Sequence, residues 1–155
     1  NFGGLSMSSR WSIYYILFYE LVGDPEMLTL AKQNLDFQLG ANPLSTTYIT
    51  GIGEKPPKHP HVQITEYHGI DEVIPGFSVS GTAHSLPLKE YYEDIMMNAY
   101  PAYQGTDPAC QYYPTARKFA DAFEPVKMGE FVIDNMARTA MSFGYFSDPD
   151  ASYQP

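Results

Sequence analysis

The chain has 155 residues, 44% of them hydrophobic and 17% charged, a balance that suits one globular core. Nine basic residues against 18 acidic ones give a formal net charge of −9 with no basic run, so nucleic acid and anionic membrane surfaces are poor partners. No apolar run is long enough to cross a bilayer, and the lone Cys110 excludes an internal disulfide and a cysteine-based zinc site.

The opening Asn1-Phe2-Gly3-Gly4 lacks an initiator Met, a basic segment and an apolar segment, so it reads as the interior of a larger protein and not as a signal peptide. Ser6 is placed to cap a helix carrying Met7, Trp11, Tyr14, Tyr15, Leu17, Phe18 and Leu21 and ending at Gly23. Its apolar residues go nearly all round, which predicts burial on more than one side. Asp24 then caps a second helix with Pro25 at its first position, a stripe of Leu28, Ala31, Leu35 and Leu39, and Gly40 at its end. So short a connection makes the two an antiparallel hairpin.

From Asn42 to about Pro87 the prolines at 43, 56, 57, 60 and 75 and the glycines at 51, 53, 69, 76 and 81 break any regular pattern, leaving short strands at Thr47–Thr50 and Phe77–Ser80. A helix over Leu88–Met97, a second from about Thr115 to Phe123 and a last one from about Met128 to Gly144 follow. Phe131, Val132, Ala137, Ala140 and Met141 are the packing residues expected of the last helix, and residues 147–155 read as a tail or linker. Paired helices with long loops suit a helical toroid, which two hairpins cannot close.

Long irregular connections in compact proteins tend to be functional or disordered, and the stretch Tyr48–His61 has the aromatics, histidines and prolines of an ordered ligand-gripping surface. Most of the 13 tyrosines and 9 phenylalanines will pack in cores and loops, but such rings also stack on sugars. A lone Glu130 at the start of the last helix is most simply a solvated, dipole-favoured residue, and a lone loop histidine is most simply solvated or packed. The spacing of His59, His61, His68 and His84 lacks a helical pair, so no metal site is expected.

The runs Phe2-Gly3-Gly4-Leu5-Ser6-Met7, Leu39-Gly40-Ala41-Asn42-Pro43, Tyr48-Ile49-Thr50-Gly51-Ile52-Gly53 and Pro57-Lys58-His59-Pro60-His61 resemble the C-terminal part of glycoside hydrolase family 9 catalytic domains. Gly69–Gly76 resembles a following segment, in the branch that often carries an immunoglobulin-like domain before the catalytic one. Glu130-Phe131-Val132-Ile133 looks like the catalytic-acid motif. The resemblance implies an all-α fold: residues 1–146 would be the C-terminal third of an (α/α)6 barrel that hydrolyses β-1,4-linked glycans with inversion. It implies Glu130 as general acid and His61, Gln63 and Tyr48 as substrate-binding residues. No cofactor is implied, and no residue here carries over the calcium common in the family. The family's base aspartate lies early in the domain and has no counterpart here. The missing N-terminal part of the barrel and a β-linked oligosaccharide or polysaccharide are therefore the partners implied; the resemblance implies an extracellular or periplasmic setting, and the residues themselves leave the compartment, the cytoplasm included, open.

Val62 and Gln63 depart from the family's Pro-His-His-Arg pattern, and Gln cannot reproduce the charged planar fork of Arg. Gly129 stands where Asn is frequent, Asn135 where an aromatic is frequent, Ser80–Ala83 replaces a Gly-Gly-Pro-Asn-like turn, and Pro87 to Tyr100 looks inserted. These changes leave three functions open: a cellulase-like hydrolase, an exo-β-glucosaminidase acting on chito-oligosaccharides, and a non-catalytic carbohydrate-binding or interaction protein.

Overall fold

The computed structural model describes residues 9–67, 69, 72–83, 99–100, 117, 119–123 and 126–147. Helix α1 (Ser9–Val22) and helix α2 (Pro25–Leu39) form the expected hairpin. Gly23, at φ +74°, donates its N–H to Tyr19 at 2.7 Å to close α1. Asp24 accepts from the Glu26 N–H at 3.0 Å, Pro25 supplies the fixed φ of the first turn, and Gly40 ends α2 in a positive φ.

Leu28, Ala31 and Leu35 are buried as their spacing predicts, but Leu39 is exposed and Gln38 takes the buried place at the end of the stripe. The Gln38 amide is used there: it donates to Ser78 Oγ, tying the helix end to a distant loop. Helix α1 buries only Ser9, Ser12 and Ile16 among the described residues, while Trp11, Leu17, Phe18 and Leu21 stand exposed, Leu21 at 84%. The all-round apolar character is present, but no described element covers the outer face.

The helix expected over Met128–Gly144 is two elements, a short α4 (Val126–Gly129) and α5 (Ile133–Ser147). The chain breaks between them because the Glu130 carbonyl is taken by Ser80 and not by the next helical turn. Against expectation, α5 packs on α1 through Asn135, Thr139 and Ser142, while Val132, Ala137, Ala140 and Met141 face outward. Small hydroxyl side chains let the helices approach: Ser9 of α1 and Thr139 of α5 share a hydrogen bond of 2.8 Å, and Ser12 Oγ of α1 donates to the Ala31 carbonyl of α2 at 3.0 Å.

The predicted strands at 47–50 and 77–80 pair but reduce to an isolated antiparallel bridge, Ile49 to Ser78. Residues 119–120 are not helical as predicted. They form β2 (Phe119–Ala120), antiparallel to β1 (Ala99–Tyr100), with both residues of β2 buried. A five-residue α3 (Gln63–Tyr67) interrupts the long loop. The expected Ser6 cap, the helix over 88–97, the Phe2–Met7 motif and the tail beyond Ser147 lie outside the described residues.

Candidate active site

Besides the cluster of Ile16, Leu28 and Ala31 between the helices, a second core lies under the loops: Leu44, Tyr48, Val79, Ala83, Phe119, Ala120 and Met128 cluster together, with Phe37 packed against them. From it a chain of backbone hydrogen bonds runs outward. Val79 N–H donates to Tyr48 and Thr50 N–H to Phe77, both at 2.9 Å. Thr50 Oγ1 adds a donation to Ile74 at 2.7 Å and accepts from Phe77 N–H at 2.9 Å, so this fully buried hydroxyl staples the two segments. The tight turn beside it requires Gly51: its φ is +71°, and a Cβ would lie 2.6 Å from that of Pro75.

The same chain of bonds then reaches Glu130. Ser80 donates to the Glu130 carbonyl through both its N–H (2.9 Å) and its hydroxyl (2.7 Å), and Gly81 N–H donates to Met128 at 2.8 Å. The carbonyl between them, that of Gly129, accepts from His61 N–H at 3.0 Å. Phe131 packs on Phe77 with ring centroids 4.5 Å apart. Glu130 is thus fixed by its backbone from both sides. It is half-buried, and no described residue forms a hydrogen bond or ion pair with its carboxylate. The attachment point of the carboxyl is held by that backbone clamp.

His61 sits across this junction. Its Nδ1 lies 2.7 Å from the Phe123 carbonyl, and a carbonyl only accepts, so Nδ1 carries a proton, while Nε2 has no hydrogen-bond partner among the described residues. The imidazole also lies on the Phe123 ring, centroids 4.4 Å apart. Gln63, the first residue of α3, is exposed two positions further on. His59 is exposed as well. The structure brings Glu130 and His61 together through the Gly129 contact.

Tyr48 is placed elsewhere. Its ring is fully buried, stacked with Phe37 and edge-on to Phe119, so it props the core and does not line a sugar-facing surface. Burial pushes its hydroxyl well above the ordinary tyrosine range, and that hydroxyl has no partner among the described residues.

Asp121 is a residue that sequence reasoning missed. Its two carboxylate oxygens accept from Lys58 N–H at 2.7 Å and His59 N–H at 2.9 Å, holding the loop that carries His61. A cavity of about 220 Å³ opens beside it, between Pro56, Pro57, Lys58 and the side of Phe119 and Asp121. A signal existed. Within Lys55–His61 the prolines at 56, 57 and 60 have no N–H, and the donors at 58 and 59 need an acceptor that no ladder supplies.

The family model for glycosyl hydrolase family 9 matches residues 1–142. The chain belongs to glycosyl hydrolase family 9. Over 63 residues it is 43% identical to a xyloglucan-specific endo-β-1,4-glucanase of Bacteroides ovatus, a match covering 41% of this chain and 11% of that protein. A metagenome-derived family 9 endoglucanase superposes with a TM-score of 0.66 at 25% identity, covering 87% of this chain and 21% of the other. The family 9 endoglucanase J30 superposes with a TM-score of 0.71 at 19% identity, covering 95% and 25%, a likeness of fold alone. The chain therefore spans about a quarter or less of these relatives, and its helices are part of an (α/α)6 barrel.

Proposed function

We propose that this chain contributes the general acid and part of the sugar-binding surface of an inverting hydrolase acting on β-1,4-linked glucans. The observation that carries this reading is the Glu130 junction: a carboxylate without a described partner, on a backbone clamped by Ser80, beside a histidine whose Nε2 has no described partner.

Inversion needs a carboxylic acid that protonates the leaving oxygen and a carboxylate, roughly 6.5–9.5 Å away, that activates water. Glu130 takes the first role. The base would come from the rest of the barrel, so the isolated chain would not turn over substrate. His61 Nε2 and the exposed Gln63 amide would hydrogen-bond sugar hydroxyls next to the scissile bond. A neutral amide at 63 gives up the charged fork of an arginine, which favours an uncharged glycan held by single hydrogen bonds. The xyloglucan-specific relative points to the same β-1,4-glucan class.

The test is Glu130→Gln in a barrel completed around this chain. Gln keeps the shape but cannot deliver a proton. Hydrolysis of an unactivated oligosaccharide should fall by roughly 10²–10⁴-fold with ligand binding nearly intact, and an aryl glycoside with an activated leaving group should suffer far less. Retention of most activity on the unactivated substrate would move the acid elsewhere.

A further inference from the structure

The residue before the acid is in contact with the histidine loop in a way that only glycine permits. A Cβ built on Gly129 would lie 2.9 Å from the His61 backbone nitrogen, 3.4 Å from the Ala122 carbonyl oxygen and 3.5 Å from the His61 Cβ. The nearest of these is a main-chain atom, so no rotamer change relieves the overlap.

Neither side of the contact is free to retreat. The His61 loop is held by Asp121 at Lys58 and His59, by the Nδ1 bond to Phe123, and by the buried Val62. On the other side Met128 is fully buried in the core, and the carbonyls flanking Gly129 are engaged by Gly81 and Ser80. A wedge at position 129 must therefore be absorbed where the clamp is weakest. That is the peptide joining 129 to the acid and the 3.0 Å bond from His61 N–H.

We propose that Gly129 is a positioning residue: its missing side chain lets the His61 backbone seat against it, and this seat fixes the separation of the His61 imidazole and the Glu130 carboxyl. The inference rests on Glu130 being the acid, and it assigns to Gly129 a part in specifying the geometry of proton delivery. It also gives a physical sense to glycine at a position where a larger residue would be expected. In this chain the His61 loop occupies the space a side chain would fill.

The experiment is Gly129→Ala in the completed barrel, assayed on an unactivated β-1,4-gluco-oligosaccharide and on an aryl glycoside with an activated leaving group. A misplaced acid should lower kcat/KM on the first by roughly 10–10²-fold, the scale of ångström misplacement, and on the second by much less. The ratio of the two rates is independent of how much of the variant folds, so a purely structural loss leaves it unchanged. If Gly129→Ala alone yields no folded enzyme, the same ratio is read in an Asp121→Asn background, where a loosened loop can recede. There a lowered ratio relative to Asp121→Asn supports the proposal and an equal ratio overturns it. A ratio within about twofold of wild type for Gly129→Ala likewise overturns it. If Glu130→Gln is inactive while this ratio is unchanged, only the role of Gly129 falls. If Glu130→Gln is active, the reading of the site itself fails.

Discussion

The helical side and the loop side of this structure differ in how completely they bury their apolar surface. Helices α1, α2 and α5 meet around a small apolar cluster of Ile16, Leu28 and Ala31, with Tyr15, Tyr19, Tyr145 and Phe146 against it, and through the hydroxyl residues Ser9, Ser12, Thr139 and Ser142, yet they turn much of their apolar surface outward at Trp11, Leu17, Phe18, Leu21 and Met141. The block built from residues 44–62, 77–83, 119–123 and 126–130 is more self-contained. Its apolar groups are drawn inward around Tyr48, Val79 and Met128, and its buried hydroxyls are spent on backbone partners, as Thr50 and Ser80 show. The helical surface depends on neighbours for its burial, whereas the geometry of Glu130 and His61 is set by contacts within the described residues.

The largest test of that contrast is on α1. Replacing Leu17 and Leu21 by Ser should make the isolated chain less prone to associate, because both side chains are exposed there at 52% and 84%. In a completed barrel the same pair should lower stability by roughly 3 kcal/mol or more, since neighbouring helices would bury them. Light scattering reads the first effect and denaturant unfolding the second. Equal, small effects in both settings would mean that this face stays in water.

Asp121 probes the other side of the comparison at a lower cost in stability. Hydrogen bonds to a charged acceptor contribute roughly 1.5–3 kcal/mol, less where solvent reaches them, so Asp121→Ala should cost about 1–3 kcal/mol. Its functional signature should be larger than its thermal one: KM should rise as the His61 loop loses its anchor, with helix content by circular dichroism unchanged. Unaltered KM would show that the Phe123 and Gly129 contacts suffice to hold His61.

What could be read in advance follows the same division. The hairpin was legible because its signals are local: the Asp24 cap, Pro25 at the first turn, Gly40 at the stop, and a stripe correct as far as Leu35. Leu39 misled because burial at that end is decided by Ser78, forty residues away, which recruits Gln38 instead. Glu130 and His61 are candidates on their motif surroundings. Gly129 and Asp121 were not assigned their parts because they act through contacts between the 58–61 loop and residues more than sixty positions away, which no periodicity announces. Tyr48 was assigned to the sugar because an aromatic in a site-forming segment looks the same whether it faces a ligand or a core. The packing on Phe37 and Phe119 gives it to the core.

The smallest predicted effect concerns the junction of α1 and α5, where Tyr145 donates to Glu20 at 2.6 Å. Burial first, then the hydrogen bond and charge of Glu20 with a contribution from Tyr19, push the Tyr145 hydroxyl from 10.0 up to about 12. A raised value means that the folded state prefers the protonated phenol. The associated stability is whole below about pH 10 and is lost as pH rises through about 12. In a completed barrel Tyr145→Phe should cost roughly 0.5–1 kcal/mol near neutrality, a surface hydrogen bond with nothing buried left unpaired. The decisive quantity is the difference in Tm between wild type and Tyr145→Phe, which cancels every other group titrating at alkaline pH. It should stay constant up to about pH 10 and fall progressively as pH rises toward about 12. A difference that is flat across this range would mean that the phenol's proton does not support the α1–α5 contact, and that the packed ring and the Ser9–Thr139 bond hold the two helices without it.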